Sequence, residues 1–331
     1  MDTPDWTPEL LLQTSGGYWA ACALHAGVKL DLFSQLQAAA STPKELARHI
    51  GADPRGLGML LGALAGLGLL SCQQGRFANT PFAELYLVRS APDYLGHILL
   101  HHHHLMESWA HLDRSVKTGG PLRDASSFAD AEWRESFLLG MFNLANRLAP
   151  QMVPQIDLGG RRRLLDLGGG PGTWALHFCH HHPQLQAVVF DLPTTRPFAD
   201  ATIARFDLAD RVSFVAGDFL ADALPQGCDI AWLSHILHGE GPADAARIVA
   251  RAAEALEPGG LLLIHEFILD NDAAGPLFPA LFSLNMLLGT EAGQSYTEQE
   301  LTDMLELAGC RQVRRLPVRG PNDSGVLAGV C

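Results

Sequence analysis

The sequence carries little positive charge for its length. Its 331 residues include 23 Lys and Arg against 36 Asp and Glu, which gives a formal net charge of -13 at neutral pH. Proteins that bind nucleic acid or an anionic membrane surface need clustered positive charge to offset phosphate groups. The composition therefore argues against both kinds of partner and favours a small-molecule ligand.

Three further features are missing: a membrane-spanning run, a secretory signal and closely paired cysteines. The longest apolar run, residues 58–70, is broken by glycines and too short to cross a bilayer. The first residues are acidic and lack the charged and apolar regions of a signal peptide, so we expect a soluble cytoplasmic protein. No Cys-x-x-Cys pair occurs among the six cysteines, which indicates free, buried thiols rather than a disulfide framework or a zinc site. The cysteines are Cys22, Cys72, Cys179, Cys228, Cys310 and Cys331.

The first hundred residues predict a small helical domain. Thr42 to Glu45 combines an N-cap, a helix-opening proline and a capping-box glutamate, and Asp53 with Pro54 opens a second helix of regularly spaced leucines. A hairpin around residues 73–75 completes a winged-helix pattern. Because the second helix carries only Arg55 as a charged residue, we expect it to pack in a core and a dimer interface. The alternative is a cofactor-sensing regulator that binds DNA through this module.

From residue 163 onward the pattern is that of an α/β protein. Short apolar runs alternate with helical segments, as in a parallel sheet covered on both faces. We therefore predict a Rossmann-like, doubly wound, mostly parallel seven-stranded sheet, with the last two strands forming an antiparallel edge because no helix separates them. The expected strands are residues 163–167, 187–190, 212–216, 229–233, 261–267, 311–316 and 325–330.

The strongest motif is an apolar strand that runs into the glycine turn 168–172 and then into a helix. Glycines in such a turn let the backbone approach a ligand closely. Asp191 ends the next apolar run, where a carboxylate can accept hydrogen bonds from the two hydroxyls of a ribose. Thr173 replaces the third glycine of a dinucleotide motif and no Tyr-x-x-x-Lys pair occurs, so the turn suits a nucleoside without phosphates better than a nicotinamide dinucleotide.

Five motifs in order give the sequence a resemblance to a known family. Nearly the whole chain resembles the class I methyltransferases of the caffeic acid, acetylserotonin and antibiotic O-methyltransferase type. The motifs are DLGGGPG at 166–172, VFDLP at 189–193, AGDF at 216–219, LSHILH at 233–238, and LEPGG at 256–260 leading into IHE at 264–266.

The resemblance implies a homodimeric enzyme that uses S-adenosylmethionine and a small hydroxylated, aromatic substrate. It implies a winged-helix dimerisation domain at 1–98, a helical connector and pocket wall at 99–150, and a cofactor-binding domain at 151–331. The glycine turn would lie against the methionine part of the cofactor, Asp191 on its ribose, and Asp218 with Phe219 around its adenine. The implied cofactor-binding residues are Asp166, Gly168, Gly170, Asp191, Leu192, Asp218, Phe219 and Ser234.

Methyl transfer from a sulfonium is an in-line displacement in which the nucleophile must lose its proton. His238 matches the family's catalytic base and Glu266 its orienting acid, and both follow strands at the carboxyl edge of the expected sheet. The resemblance also points to Met141, Asn285 and Met286 as substrate contacts.

The chain departs from the family pattern at two positions near the expected base. Gly239 stands where relatives continue Asp-Trp, and Ser295 stands where many carry a second orienting glutamate, for which Glu291 or Glu240 are possible substitutes. Two alternatives therefore stay open: decarboxylation or hydroxylation with the same fold and cofactor, and methylation of nitrogen or sulfur.

A group of histidines precedes the α/β region. His97, His101, His104 and His111 share one face if their segment is a continuous helix, and imidazoles so spaced can bind a transition metal. Methyl transfer in the resembled family needs no metal, so we predict no metal site and a solvated or pocket-lining face.

Overall fold

The structure is a computed structural model that describes residues 5–123 and 130–331. The chain divides into two compact units, one running to Met106 and including Glu135–Asn143, the other comprising Glu107–Arg134 and Leu144–Cys331. None of the helices in the described ranges is both long and apolar enough to traverse a bilayer.

The first unit consists of helices and one hairpin. Its elements are α1 (Pro8–Gly16), α2 (Tyr18–Lys29), α3 (Leu32–Gln35), α4 (Pro43–Ile50), α5 (Pro54–Gly66), β1 (Leu70–Gln73), β2 (Arg76–Asn79), α6 (Pro81–Tyr86) and most of α7 (Gly96–Trp109). The predicted capping box opens α4, since the Glu45 N–H donates to Thr42 Oγ1 at 3.3 Å and the Thr42 N–H donates to Glu45 Oε2 at 2.8 Å. The two predicted helices and the predicted hairpin are therefore present.

A buried histidine lies in this unit. His25 Nδ1 on α2 lies 3.2 Å from Met106 Sδ, and the His25 ring meets His103 edge to face with 5.7 Å between centroids. Burial, together with the nearby imidazoles of His103 and His102, lowers the pKa of His25 to about 4. The folded unit thus holds this imidazole neutral.

Helix α7 ends before the last histidine of the predicted face. It stops at Trp109, so that His111 lies in the connection before α8 (Leu112–Thr118). The helix therefore places only His97, His101 and His104 on a shared face.

The second unit is built around the seven-stranded sheet. Its remaining elements are α9 (Ala131–Met152, part of which belongs to the first unit), β3 (Arg163–Leu167), α10 (Thr173–His181), β4 (Gln186–Asp191), α11 (Arg196–Arg205), β5 (Val212–Ala216), β6 (Cys228–Ser234), α12 (Pro242–Glu254), β7 (Leu256–Phe267), α13 (Leu277–Gly289), α14 (Glu298–Leu307), β8 (Arg311–Arg319) and β9 (Ser324–Val330). The strand order is β5-β4-β3-β6-β7-β9-β8. The first five strands are parallel, while β9 runs antiparallel to both β7 and β8, which confirms the predicted Rossmann-like sheet and its antiparallel edge.

Both faces of this sheet are covered by apolar cores. Alternate residues of the central strands enter opposite cores: Leu164, Trp232 and Leu263 lie in one, and Leu165, Leu233 and Leu262 lie in the other. Burial on both faces explains why these strands are continuous apolar runs. Successive strands are added on one side of β3 from β3 to β5 and on its other side from β6 onward. The gap between β3 and β6 is therefore the topological switch point, where open α/β sheets bind ligands.

The prediction of free, buried cysteines is wrong for four of the six. Cys310 and Cys331 form a disulfide with 4.0 Å between their Cα atoms, while Cys22 and Cys72 are exposed thiols. Arg311 pairs with Val330 across the antiparallel β8 and β9, so the residues just outside that pair meet. The long sequence separation concealed this pairing.

Candidate active site

The glycine turn connects β3 to α10 and is tied to the end of β4. Gly168 and Gly170 have φ angles of +63° and +55°, which disfavour residues with a side chain. The Gly170 N–H donates to Asp191 Oδ2 at 2.8 Å. The other oxygen of Asp191 accepts from the N–H of Leu192 at 2.7 Å and from the hydroxyl of Thr195 at 2.9 Å. The carboxylate is thereby held at the carboxyl edge of the sheet.

Four further residues predicted for the cofactor lie at or near the same edge. Asp166 is fully buried, and its Oδ2 accepts from the Ala175 N–H at 3.1 Å, while burial raises the pKa of Asp166 to about 7. Asp218 follows β5 and accepts from the Leu220 N–H at 2.8 Å, and Phe219 beside it packs partly into the core. Ser234 ends β6, and its hydroxyl lies 2.9 Å from Nδ1 of the buried His265.

These residues have the chemistry that a nucleoside with a sulfonium side chain requires. Asp191 has room for about four hydrogen bonds and uses three, all of them within the protein, so that Oδ2 can accept one more from a ribose hydroxyl. A Cβ at Gly170 would have no protein atom within 4 Å, which shows that the turn is open on the side where a ligand would lie. The described residues at this edge therefore fit S-adenosylmethionine.

A half-buried histidine and a buried carboxylate form a pair at the carboxyl edge of β6 and β7. His238 occupies a short 3₁₀ turn, Leu237–Gly239, just after β6, while Glu266 lies near the end of β7. Because the carboxylate can only accept, His238 Nδ1–H donates to Glu266 Oε2, over 2.8 Å. The other ring nitrogen, Nε2, thus carries no proton in the neutral imidazole and is left to accept one.

Both carboxylate oxygens of Glu266 accept hydrogen bonds from the protein. Its Oε1 accepts from the N–H groups of Leu237 at 3.0 Å and His238 at 3.3 Å, and its side chain is 2% exposed. Burial by itself would raise the pKa of Glu266, but the facing imidazoles of His238 and His235 lower it below the usual range. The group is therefore a carboxylate at all physiological pH values, and it fixes both the turn and the ring of His238.

His235 is a component of this site that the sequence analysis missed. Its Nδ1 lies 3.5 Å from Glu266 Oε2, and its ring is held between Phe267 and His265, with centroid distances of 4.2 and 4.3 Å. Its φ of +57° is unusual for a residue with a side chain and turns the ring toward Glu266. The signal in the sequence is the His-x-x-His spacing directly after a strand.

Within the described ranges, His235, His238 and Glu266 form the one group of three potential metal ligands, with their donor atoms within 4.8 Å of one another.

The serine at the family's second glutamate position has a structural partner instead. Ser295 is buried, its hydroxyl donates to the carbonyl of Pro279 at 2.9 Å, and its N–H donates to Ser283 Oγ at 2.9 Å. It fastens its loop to α13. Neither Glu240 nor the exposed Glu291 makes a hydrogen bond or ion pair with His238 in the described part of the chain, so Glu266 is the carboxylate that contacts it.

Helix α13 brings the predicted substrate residues near this pair. Phe282 meets the His238 ring edge to face at 4.7 Å, and Asn285 and Met286 follow one turn later as buried residues. Asn285 Oδ1 accepts from Trp109 Nε1 at 3.3 Å and from Arg123 Nη1 at 2.9 Å. Arg123 had no predicted role, because 162 residues separate it from its partner. Met141 lies in the other unit, half-buried on α9.

Comparison with known proteins gives the site its context. An O-methyltransferase domain model matches residues 117–311, and an O-methyltransferase dimerisation domain model matches residues 12–89. The chain is 37% identical over 329 residues to the 3-hydroxy-5-methyl-1-naphthoate 3-O-methyltransferase of Streptomyces sahachiroi, covering 98% of this chain and 95% of that one. It is 33% identical to the tetracenomycin polyketide synthesis 8-O-methyltransferase TcmO of Streptomyces glaucescens, covering 95% of each chain.

A solved structure agrees with the same assignment. The structure of PigF with SAH superimposes with a TM-score of 0.90 at 26% identity, covering 98% of this chain and 100% of that one. Family models, relatives and fold thus all identify the same family. The chain belongs to the S-adenosylmethionine-dependent O-methyltransferases.

Proposed function

We propose that this methyltransferase acts on a phenolic or enolic hydroxyl of a small aromatic molecule, with His238 as the general base and Glu266 as its orienting partner. One observation carries the proposal: the 2.8 Å hydrogen bond from His238 Nδ1 to a buried carboxylate that is saturated with donors. This bond fixes the tautomer in which Nε2 can accept a proton.

The bound cofactor supplies an electrophilic methyl group on a sulfonium. Asp191 would accept a hydrogen bond from a ribose hydroxyl, and Asp218 with Phe219 would lie beside the adenine. The other proposed contacts are Asp166, Gly168, Gly170, Leu192 and Ser234. These residues lie at or after the ends of β3 to β6, His238 follows β6, and Glu266 lies near the end of β7. The proposed cofactor site and the base therefore share the carboxyl edge of the sheet.

The base acts on the acceptor as the new bond forms. His238 Nε2 would take the hydroxyl proton as the substrate oxygen receives the methyl group, whose bond to the sulfonium sulfur breaks and leaves a neutral thioether. Glu266 would stabilise the positive charge that then lies on the imidazole. Such a positioned base contributes typically about 10²- to 10⁴-fold to the rate. His235 Nδ1 lies 3.5 Å from the same oxygen, Glu266 Oε2, and places a second imidazole beside this carboxylate.

The aromatic substrate class is supported by the pocket wall and by the named relatives. Phe267, Phe278 and Phe282 form a cluster beside His238, with ring centroids 4.8–6.0 Å apart, and offer faces on which a flat ring can pack. Asn285, Met286 and Met141 are the proposed substrate contacts. The relative from S. sahachiroi is named for a hydroxynaphthoate and TcmO for a polyketide.

We further propose that the enzyme is a homodimer whose dimerisation domain spans residues 1–98, with a connector at 99–150 and the catalytic domain at 151–331. Large apolar side chains at the start of the first unit are exposed in the single chain, among them Leu12, Trp19 and Tyr18 at 72%, 68% and 58%. A second copy of the chain would cover such a surface. The winged-helix module would then serve assembly.

The test is release of S-adenosylhomocysteine from S-adenosylmethionine with a panel of phenols, enols, amines and thiols, using wild type and His238→Ala. Acceptor-dependent release with phenols that needs His238 supports the proposal. Release with amines or thiols alone would overturn the acceptor assignment. Consumption of an acceptor without S-adenosylhomocysteine would overturn methyl transfer itself. Calorimetric binding of S-adenosylhomocysteine to both proteins checks that the variant keeps its cofactor site.

A further inference from the structure

Arg123 is a half-buried cation attached to a predicted substrate residue. Its Nη1 donates to Asn285 Oδ1 at 2.9 Å, and its Nη2 donates to the Asn285 carbonyl at 2.6 Å. The backbone N–H groups of Leu122 and Arg123 both donate to the Leu288 carbonyl at 3.0 Å. Two hydrogen bonds from the backbone and two from the guanidinium thus hold Arg123 at the C-terminal end of α13.

The positive charge of this group is only partly compensated by the protein. In residues 5–123 and 130–331, no Asp or Glu oxygen lies within 4.0 Å of Arg123, whereas Arg76, Arg247 and Arg315 each have such a partner. Burial lowers the pKa of Arg123, which shows that the site penalises the charged form. The end of the α13 dipole offers about half a negative charge. A half-buried cation with so little compensation favours an anionic ligand.

The lack of a side chain at Gly289 leaves space for the guanidinium. Gly289 lies directly against it, and any side chain at that position would overlap Arg123 Nη2 and Nε. A guanidinium has five N–H donors, of which Asn285 takes two. The remaining N–H donors can form hydrogen bonds with a carboxylate.

The position of Arg123 relates it to the base. Phe282 contacts the His238 ring, and Asn285, which holds Arg123, follows three residues later on the same helix. Residues three apart on a helix share a face and are separated by about 4.5 Å along its axis. An aromatic ring with its hydroxyl at His238 would therefore direct a substituent toward Arg123.

We propose that Arg123 binds a carboxylate on the substrate, so that the acceptor is a hydroxylated aromatic carboxylic acid. The inference rests on the proposed function and narrows its substrate class. The chain has a formal net charge of -13, so an anionic substrate needs a local cation to offset the repulsion of the whole protein. Arg123 provides that cation on Asn285, three residues along α13 from Phe282.

The experiment compares hydroxynaphthoic and hydroxybenzoic acids with their carboxamides, which keep the shape and remove the charge. We measure kcat and KM, and separately the affinity of each compound for the enzyme loaded with S-adenosylhomocysteine. Wild type should prefer the acids by about 10-fold or more in kcat/KM, mostly through KM. Arg123→Gln should lose this preference while turning over the amides within about threefold of wild type, and Arg123→Lys should keep part of it. Arg114→Gln, at an exposed arginine on α8, is the matched control.

A second variant covers the case in which Arg123→Gln does not fold. Asn285→Asp places a carboxylate on the same guanidinium and should abolish the preference for acids with Arg123 still present. The inference is overturned if wild type treats acids and amides alike, or if both variants keep the wild-type preference. If the acids bind in an Arg123-dependent way but are not methylated, the anion site is supported and the proposed function is overturned. If phenols are methylated at a rate that does not depend on Arg123, the proposed function is supported and the anion site is overturned.

Discussion

Replacing Glu266 by Gln tests how the base is oriented. The variant keeps the size of the side chain but exchanges one acceptor oxygen for an NH₂ group. Glu266 faces donors on both sides, since Oε1 accepts from two backbone N–H groups and Oε2 accepts from His238 Nδ1. An amide can satisfy only one side.

Both orientations of the new amide are unfavourable. If its NH₂ faces His238, the ring must accept at Nδ1 and carry its proton on Nε2, which blocks proton removal from the substrate. If its NH₂ faces the turn, the N–H groups of Leu237 and His238 lose their acceptor, at about 1–3 kcal/mol each. We expect a loss of about 2–4 kcal/mol in transition-state stabilisation, or about 30- to 900-fold in kcat.

The assay is S-adenosylhomocysteine release at saturating substrate, with the affinity for S-adenosylhomocysteine measured in parallel. Glu291→Gln, at an exposed carboxylate without contact to His238, is the control and should keep wild-type kcat. A kcat within threefold of wild type for Glu266→Gln would refute the orienting role. Equal losses in kcat and cofactor affinity would point to a misfolded turn instead.

Three other outcomes follow from the structure. Asp191→Ala removes the acceptor of the Gly170 N–H and the proposed acceptor of a ribose hydroxyl. Calorimetry should therefore show about 10- to 100-fold weaker cofactor binding, and an unchanged Kd would contradict the cofactor assignment. Gly168→Ala places a Cβ 2.6 Å from Ile236 Cγ2 at a φ of +63°, so its melting temperature should fall, and a wild-type value would show that the turn can adjust. His25 has a folded pKa of about 4 against 6.5 when unfolded, so below pH 6.5 the unfolded chain binds a proton that the folded chain does not. Stability should therefore decline as pH falls from about 6.5 to 4, and urea titrations should show a shallower decline for His25→Leu; identical slopes would refute this account.

The parts of the site that follow strand ends could be predicted from the sequence. In a parallel sheet every strand ends at the same edge, so Asp191, His238 and Glu266 lie along one edge whatever the details of packing. Local signals such as the capping box at Thr42 were equally readable.

The parts that depend on distant pairing could not be predicted. The Cys310–Cys331 bond requires β8 and β9 to be antiparallel neighbours, and the contact of Arg123 with Asn285 requires a loop to dock on α13. No periodicity reports either event. His235 lay inside a recognised motif, but its role depends on a positive φ that single-sequence patterns do not reveal.

The pairing of β6 with β7 makes catalysis sensitive to an inserted residue near the end of β7 but not near its start. Near its start, β7 bulges at residues 257–260 opposite β6, where an added residue can be absorbed in the bulge. Beyond Leu261 the two strands pair residue for residue up to His265. An insertion there would rotate Glu266 to the opposite face and bring His265 or another neighbour toward His238. Such a protein would keep its sheet and its cofactor site but would be inactive. The tolerance of the enzyme to insertions should therefore differ sharply along a single strand.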